Sequence, residues 1–112
     1  MEIYTDGGED KYCFVIPDKN VVKTFEKKGI TNNEAEYLAV IQALKHVEQG
    51  SRVKILTDSK LVANQLRMEW HIKEKRLRLL FEEVFSIIEK KSLSFEIEWI
   101  PRSRNKAGKV LG

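Results

Sequence analysis

Two short alternating segments, Glu2–Asp6 and Val53–Asp58, each run into an aspartate, and no other feature narrows the possible folds as far. In the first, Ile3 and Thr5 face one way and Tyr4 and Asp6 the other. In the second, Val53, Ile55 and Thr57 oppose Lys54, Leu56 and Asp58. A period of two marks a β-strand with two unlike faces. Tyr12–Ile16 and Val21–Phe25, the latter running on as far as Lys28, are rich in aromatic and β-branched residues and flank Pro17-Asp18-Lys19-Asn20, a hairpin signal. Gly7-Gly8-Glu9-Asp10 reads as the preceding turn. Beyond Gly29, Tyr37, Val40, Ile41, Leu44 and Val47 recur at helical spacing, with Asn32 or Asn33 as the expected N-cap and Gly50 as the stop.

The remainder reads as a short helix over Ser59–Leu66, a longer one over residues 73–91 and a strand over Phe95–Ile100 closed by Pro101. The tail has room for one or two helical turns. A hairpin unit followed by strand–helix–strand crossovers predicts an α/β fold with a mixed sheet and helices packed on it. Such sheets place their sites beyond the carboxyl edge, where both aspartates stand.

With 112 residues, 42% hydrophobic and 33% charged, the expectation is one domain over residues 1–112. That length leaves no room for a separate organic-cofactor domain. Cys13 is the single cysteine, which excludes an internal disulfide or a multi-thiolate site. No run approaches the ~20 apolar residues of a membrane span. The opening residues lack the basic start and apolar stretch of a secretion signal, so a cytoplasmic monomer is the expectation. The net charge of +3 is uneven. Residues 1–50 hold 6 basic and 9 acidic side chains, and residues 51–112 hold 14 and 8. Arg67–Arg78 and Arg102–Lys109 carry the clusters, and clustered cations suit a phosphate backbone.

If the two acid-ending strands are parallel neighbours, their ends lie about 5 Å apart, which lets the Asp6 and Asp58 side chains reach one ion. Glu36, in the first turn of the following helix, comes over the same edge. Three converging carboxylates repel one another unless a divalent cation compensates. Hard oxygen ligands suit Mg²⁺ or Mn²⁺. Each acid also has an ordinary use: Asp6 accepting the Gly7 and Gly8 amides, Asp58 capping the next helix, Glu36 offsetting a helix dipole.

Three blocks resemble the ribonuclease H family of the ribonuclease H-like, or retroviral-integrase-like, superfamily. They are Ile3-Tyr4-Thr5-Asp6-Gly7-Gly8, then Thr31-Asn32-Asn33-Glu34-Ala35-Glu36-Tyr37, then Leu56-Thr57-Asp58-Ser59-Lys60-Leu61-Val62. A weaker fourth block runs from Trp99-Ile100-Pro101-Arg102 through Asn105 to Leu111. The resemblance implies a five-stranded sheet of order 3-2-1-4-5. It implies that Asp6, Glu36 and Asp58 bind up to two Mg²⁺ (or Mn²⁺) ions, about 3.5–4 Å apart, and hydrolyse the RNA strand of an RNA–DNA hybrid. The products would be a 3′-hydroxyl and a 5′-phosphate. Asn32 and Asn33 would read the shallow minor groove, where the 2′-hydroxyl marks RNA. Gly7, Ser59, Lys60, Arg102, Arg104 and Lys109 complete the residues expected against the substrate.

The chain departs from that family in three places. An ungapped alignment of Asn105 and Leu111 puts Lys109 where the family has a fourth catalytic aspartate, and Gly108 where it has alanine. Lys109 either stands near the phosphate or points to solvent. The glycine-rich loop after Asp6 is short and acidic. The long basic protrusion of some members is replaced by the smaller Arg67–Arg78 segment, where Trp70 is expected to pack rather than stack. These departures keep a second reading open: a non-catalytic or weakly catalytic nucleic-acid-binding module of the same fold. A nuclease for double-stranded RNA or branched DNA fits the Thr-Asn-Asn-Glu-Ala-Glu block less well.

Overall fold

The two acid-bearing segments are adjacent parallel strands. In the computed structural model, which describes residues 1–112, β1 (Glu2–Gly8) pairs with β4 (Arg52–Thr57) in the register Ile3↔Ile55 and Thr5↔Thr57. On its other side β1 pairs antiparallel with β2 (Lys11–Ile16), which pairs antiparallel with β3 (Val21–Glu26). β5 (Ser94–Trp99) lies parallel to β4 at the far edge. The order β3-β2-β1-β4-β5 is the expected one. The crossovers carry α1 (Asn32–His46), α2 (Lys60–Leu66) and α3 (Lys75–Lys90), and the tail closes in a single turn, α4 (Gly108–Leu111).

Alternation along the strands builds two unequal faces. Ile3, Phe14, Ile16, Val53, Ile55 and Ile97 meet Tyr37, Val40, Ile41 and Leu44 of α1, Val62 and Leu66 of α2, and Leu77 and Val84 of α3 in one core. On the opposite face Cys13 and Val15 pack with Ala107, and Tyr4 and Leu111 close around them. The tail is therefore no fraying end. Asn105, Ala107 and Gly108 are all buried.

Two local expectations are corrected. The cap of α1 is Thr31, not Asn32 or Asn33. The Thr31 hydroxyl accepts the Glu34 N–H at 3.1 Å, and the Glu34 carboxylate accepts the Thr31 N–H at 3.0 Å. This reciprocal pair satisfies two helix-end donors together, which a lone asparagine does not do. β1 also continues past Asp6, because Gly7 and Gly8 stay in the ladder opposite Tyr12 and Lys11. The turn narrows to Glu9 and Asp10, with Asp10 left-handed at φ 57°. At the other end of α1, Lys91 Nζ donates to the carbonyls of Leu44, Lys45 and Val47 at 3.1, 2.6 and 2.8 Å. A cation there meets the negative end of the helix dipole.

Gly7 brings β1 and α1 together. A Cβ added to it would stand 2.4 Å from both the Ala35 carbonyl carbon and the Glu36 nitrogen. Both are backbone atoms, so the helix start would have to move. Gly7→Ala is expected to cost about 1–3 kcal/mol, as overpacking does. Thermal unfolding should register this as a Tm loss of about 5 °C or more.

Candidate metal centre

Asp6, Glu36 and Asp58 converge. One carboxylate oxygen from each lies within 4.8 Å of the others. Parallel pairing puts Asp6 and Asp58 on the same face, and the close approach at Gly7 carries Glu36 over them. Asp6 is buried and the other two are half-buried. Asp6 Oδ1 and Glu36 Oε1 are buried with no hydrogen-bond partner. Burial, reinforced by Asp58, pushes the Asp6 carboxyl up to about 6, with Arg102 and the Gly7 amide pulling the other way. Burial, then Asp6 and Asp58, push Glu36 up to about 9, again against the Gly7 amide and Arg102. Oxygen-only donors with orphaned buried lone pairs fit a hard divalent cation, which would relieve both desolvation and repulsion. The nearby thiol is not part of the donor set. Cys13 Sγ donates to the Ala107 carbonyl at 3.3 Å, and burial, with Asp6 and Glu36, pushes it up to about 12.

Asp6 does take the Gly7 amide, but the ordinary uses of the other two acids are filled by neighbours. Ser59, not Asp58, caps α2, accepting the Val62 N–H at 3.1 Å. Thr31 and Glu34 serve α1, so Glu36 is not needed at its entry.

The tail supplies a residue whose role sequence reasoning missed. Asn105 is fully buried. Its Nδ2 donates to the Thr5 carbonyl at 2.9 Å and to Asp58 Oδ2 at 3.1 Å, and its Oδ1 accepts the Ala107 N–H at 3.0 Å. It therefore orients one carboxylate of the trio, as outer partners of metal ligands do. Its place in the fourth block was the available signal. Trp99, also missed, donates Nε1–H to the Asp58 carbonyl at 3.1 Å.

The other expected residues divide. Arg102 Nη1 stands 4.0 Å from Asp58 Oδ2, and Lys60 lies over the Trp99 ring. Asn32 is exposed and Asn33 half-buried at the start of α1. Arg104 and Lys109 are exposed and belong to no ion pair, so Lys109 takes the solvent-facing alternative. Position 108, rather than 109, faces the acids: a Cβ on Gly108 would lie 3.8 Å from Asp6 Oδ2 and 4.0 Å from Asp58 Oδ2. Trp70 is 50% exposed, against the expectation that it packs, in a connection whose Met68 is left-handed at φ 63°.

A family described as reverse transcriptase-like matches residues 14–111. The chain belongs to the reverse transcriptase-like family. That match begins within β2, and the superpositions on solved ribonuclease H structures extend the likeness over the whole sheet, β1 included. The N-terminal RNase H domain of the Mycobacterium tuberculosis protein Rv2228c superposes with a TM-score of 0.80 at 26% identity, covering 99% of this chain and 88% of that one. LC11-RNase H1, isolated from compost and solved in complex with an RNA/DNA hybrid, superposes with a TM-score of 0.78 at 25% identity over 99% of both chains. Ribonuclease H of Caldicellulosiruptor saccharolyticus is 30% identical over 76 residues, 61% of this chain and 52% of that protein. The chain thus spans about half the length of that curated relative. No helix is long and apolar enough to cross a membrane.

Proposed function

We propose that this reverse transcriptase-like chain hydrolyses the RNA strand of RNA–DNA hybrids in a reaction that depends on Mg²⁺ or Mn²⁺. The observation that carries the reading is the convergence of Asp6, Glu36 and Asp58 with two buried oxygens left unpaired. Bound divalent ions, up to two, would supply a nucleophile from water near neutral pH and charge neutralisation for the leaving oxygen. Asp6, Glu36 and Asp58 would hold them, and Asn105 orients Asp58 by donating to its Oδ2. Water adds to the scissile phosphorus in line, the bond to the 3′-oxygen breaks, and the products are a 3′-hydroxyl and a 5′-phosphate.

The hybrid would lie across the edge that carries Gly7 and the start of α1. Because Thr31 and Glu34 make the cap, Asn32 and Asn33 are available to the minor groove. Arg102 stands beside Asp58 and Lys60 lies over the Trp99 ring, with Ser59 between Asp58 and Lys60 in the chain, to meet flanking phosphates. Arg104 and Lys109 add charge farther out. The likeness to LC11-RNase H1, solved with an RNA/DNA hybrid, supports this choice of substrate.

One observation favours a second reading, a binding module with little or no catalysis: neither Gly108 nor Lys109 contributes a fourth carboxylate. Incubating a labelled hybrid with the protein across Mg²⁺ and Mn²⁺ concentrations separates the two. The expected result is cutting of the RNA strand alone, reduced about a hundredfold or more in Asp6→Asn. A preference for Mn²⁺ would fit a trio that lacks its fourth acid. Tight hybrid binding by folded protein with no cutting under either metal would leave only the binding module.

A further inference from the structure

Asp58 lies just past the end of β4, outside any strand or helix. Asn105 holds its carboxylate. Its main-chain carbonyl is held by one donor, Trp99 Nε1–H at 3.1 Å. Trp99 ends β5 directly opposite Thr57, so the parallel register delivers the indole edge to the next residue along. The ring is 40% exposed and stands outside the main core, so packing alone does not explain it. Across its face lies Lys60 Nζ, 5.1 Å from the ring centroid. An aromatic face attracts an ammonium through its quadrupole. It thereby restricts a four-carbon stem that is otherwise free, and a restrained cation loses less freedom on meeting a phosphate.

We propose that Trp99 is a positioning residue with two separable tasks: its edge fixes Asp58 for a divalent cation, and its face places Lys60 for a nucleic-acid phosphate beside that cation. The proposal rests on the nuclease reading above, and its test separates the two. Mn²⁺ binding to the protein alone is measured by calorimetry. Affinity for an RNA–DNA hybrid is measured in saturating Ca²⁺, with thermal unfolding as the check on folding. Trp99→Phe keeps an aromatic face and loses the N–H. Its Mn²⁺ dissociation constant is expected to rise about fivefold, the worth of one ordinary hydrogen bond, with hybrid affinity little changed. Lys60→Gln is expected to do the reverse: unchanged Mn²⁺ binding, hybrid affinity about threefold to fivefold weaker, and a salt dependence shallower by about one phosphate contact. Trp99→Leu should show both losses.

Parent-like Mn²⁺ binding by Trp99→Phe would overturn the first task. Parent-like hybrid binding by Lys60→Gln would overturn the second. A parent protein that binds Mn²⁺ and hybrid but cuts neither strand would sink the nuclease reading alone, with the variant comparison still deciding the role of Trp99. A parent that binds no Mn²⁺ would overturn both.

Discussion

Glu36→Gln is expected to stabilise the metal-free protein at alkaline pH and to remove most of its response to divalent cations. Glu36 is held at about 9 in the folded chain, against an ordinary 4.5. Between those values the folded protein keeps a proton that the unfolded chain has released. The stability associated with this group is therefore whole below 4.5 and is lost as pH rises toward 9. One such group changes stability by about 1.4 kcal/mol per pH unit across that window. Asp6 acts in the same direction but only from 3.8 to about 6, and Cys13 only from 9 upward. The interval from about pH 6.5 to 8.5 thus isolates Glu36. In EDTA the parent should lose roughly 2–3 kcal/mol over it, a fall in Tm of about 10 °C. Glu36→Gln should stay nearly level. Added Mn²⁺ should raise the parent's Tm by mass action, and more at the alkaline end, because the cation binds the ionised trio. A parent whose metal-free Tm is flat or rises across this interval would show that the three carboxylates do not meet as described.

The strands and the trio were legible because both are local patterns read through topology. The alternation Ile3, Thr5 against Tyr4, Asp6 sets which face Asp6 occupies, and the same alternation sets Asp58. Once two such strands pair in parallel, their acids must meet. The first-turn position of Glu36 then needs only the close approach allowed by Gly7. What escaped was long-range and aperiodic. Asn105 reaches back to the Thr5 carbonyl across 100 residues, and Trp99 reaches Asp58 across 41. Neither contact leaves a period in the sequence. The α1 cap is a different kind of miss, since Thr31-x-x-Glu34 was present as a local signature and the adjacent asparagines competed with it. Gly7-Gly8 misled for a related reason. Glycine signals a turn by its freedom, whereas here its missing side chain lets β1 pass under a helix while still paired.

Gly108→Asp is expected to change cation binding far more than Lys109→Asp, although alignment points to position 109. A Cβ at 108 would meet Asn105 Cβ and Asp6 Oδ2 at 3.8 Å and Asp58 Oδ2 at 4.0 Å, all ordinary contacts. Gly108 opens the helical turn α4, so a side chain brings no left-handed backbone strain. Its carboxylate would enter the trio as a fourth negative charge. In EDTA that charge should lower stability at pH 8 by about 1–2 kcal/mol, since like charges at this distance disfavour one another's ionisation. In Mn²⁺ the sign should reverse, with binding tighter by about tenfold as donor charge is added. If the nuclease reading holds, hybrid cleavage should rise with it. Lys109 is exposed and pairs with none of the acids, so Lys109→Asp should shift both quantities less than about twofold. Calorimetry on the two variants decides between the positions. A larger gain from Lys109→Asp would mean that the tail turns by one residue, about 100° of helix, when a cation binds.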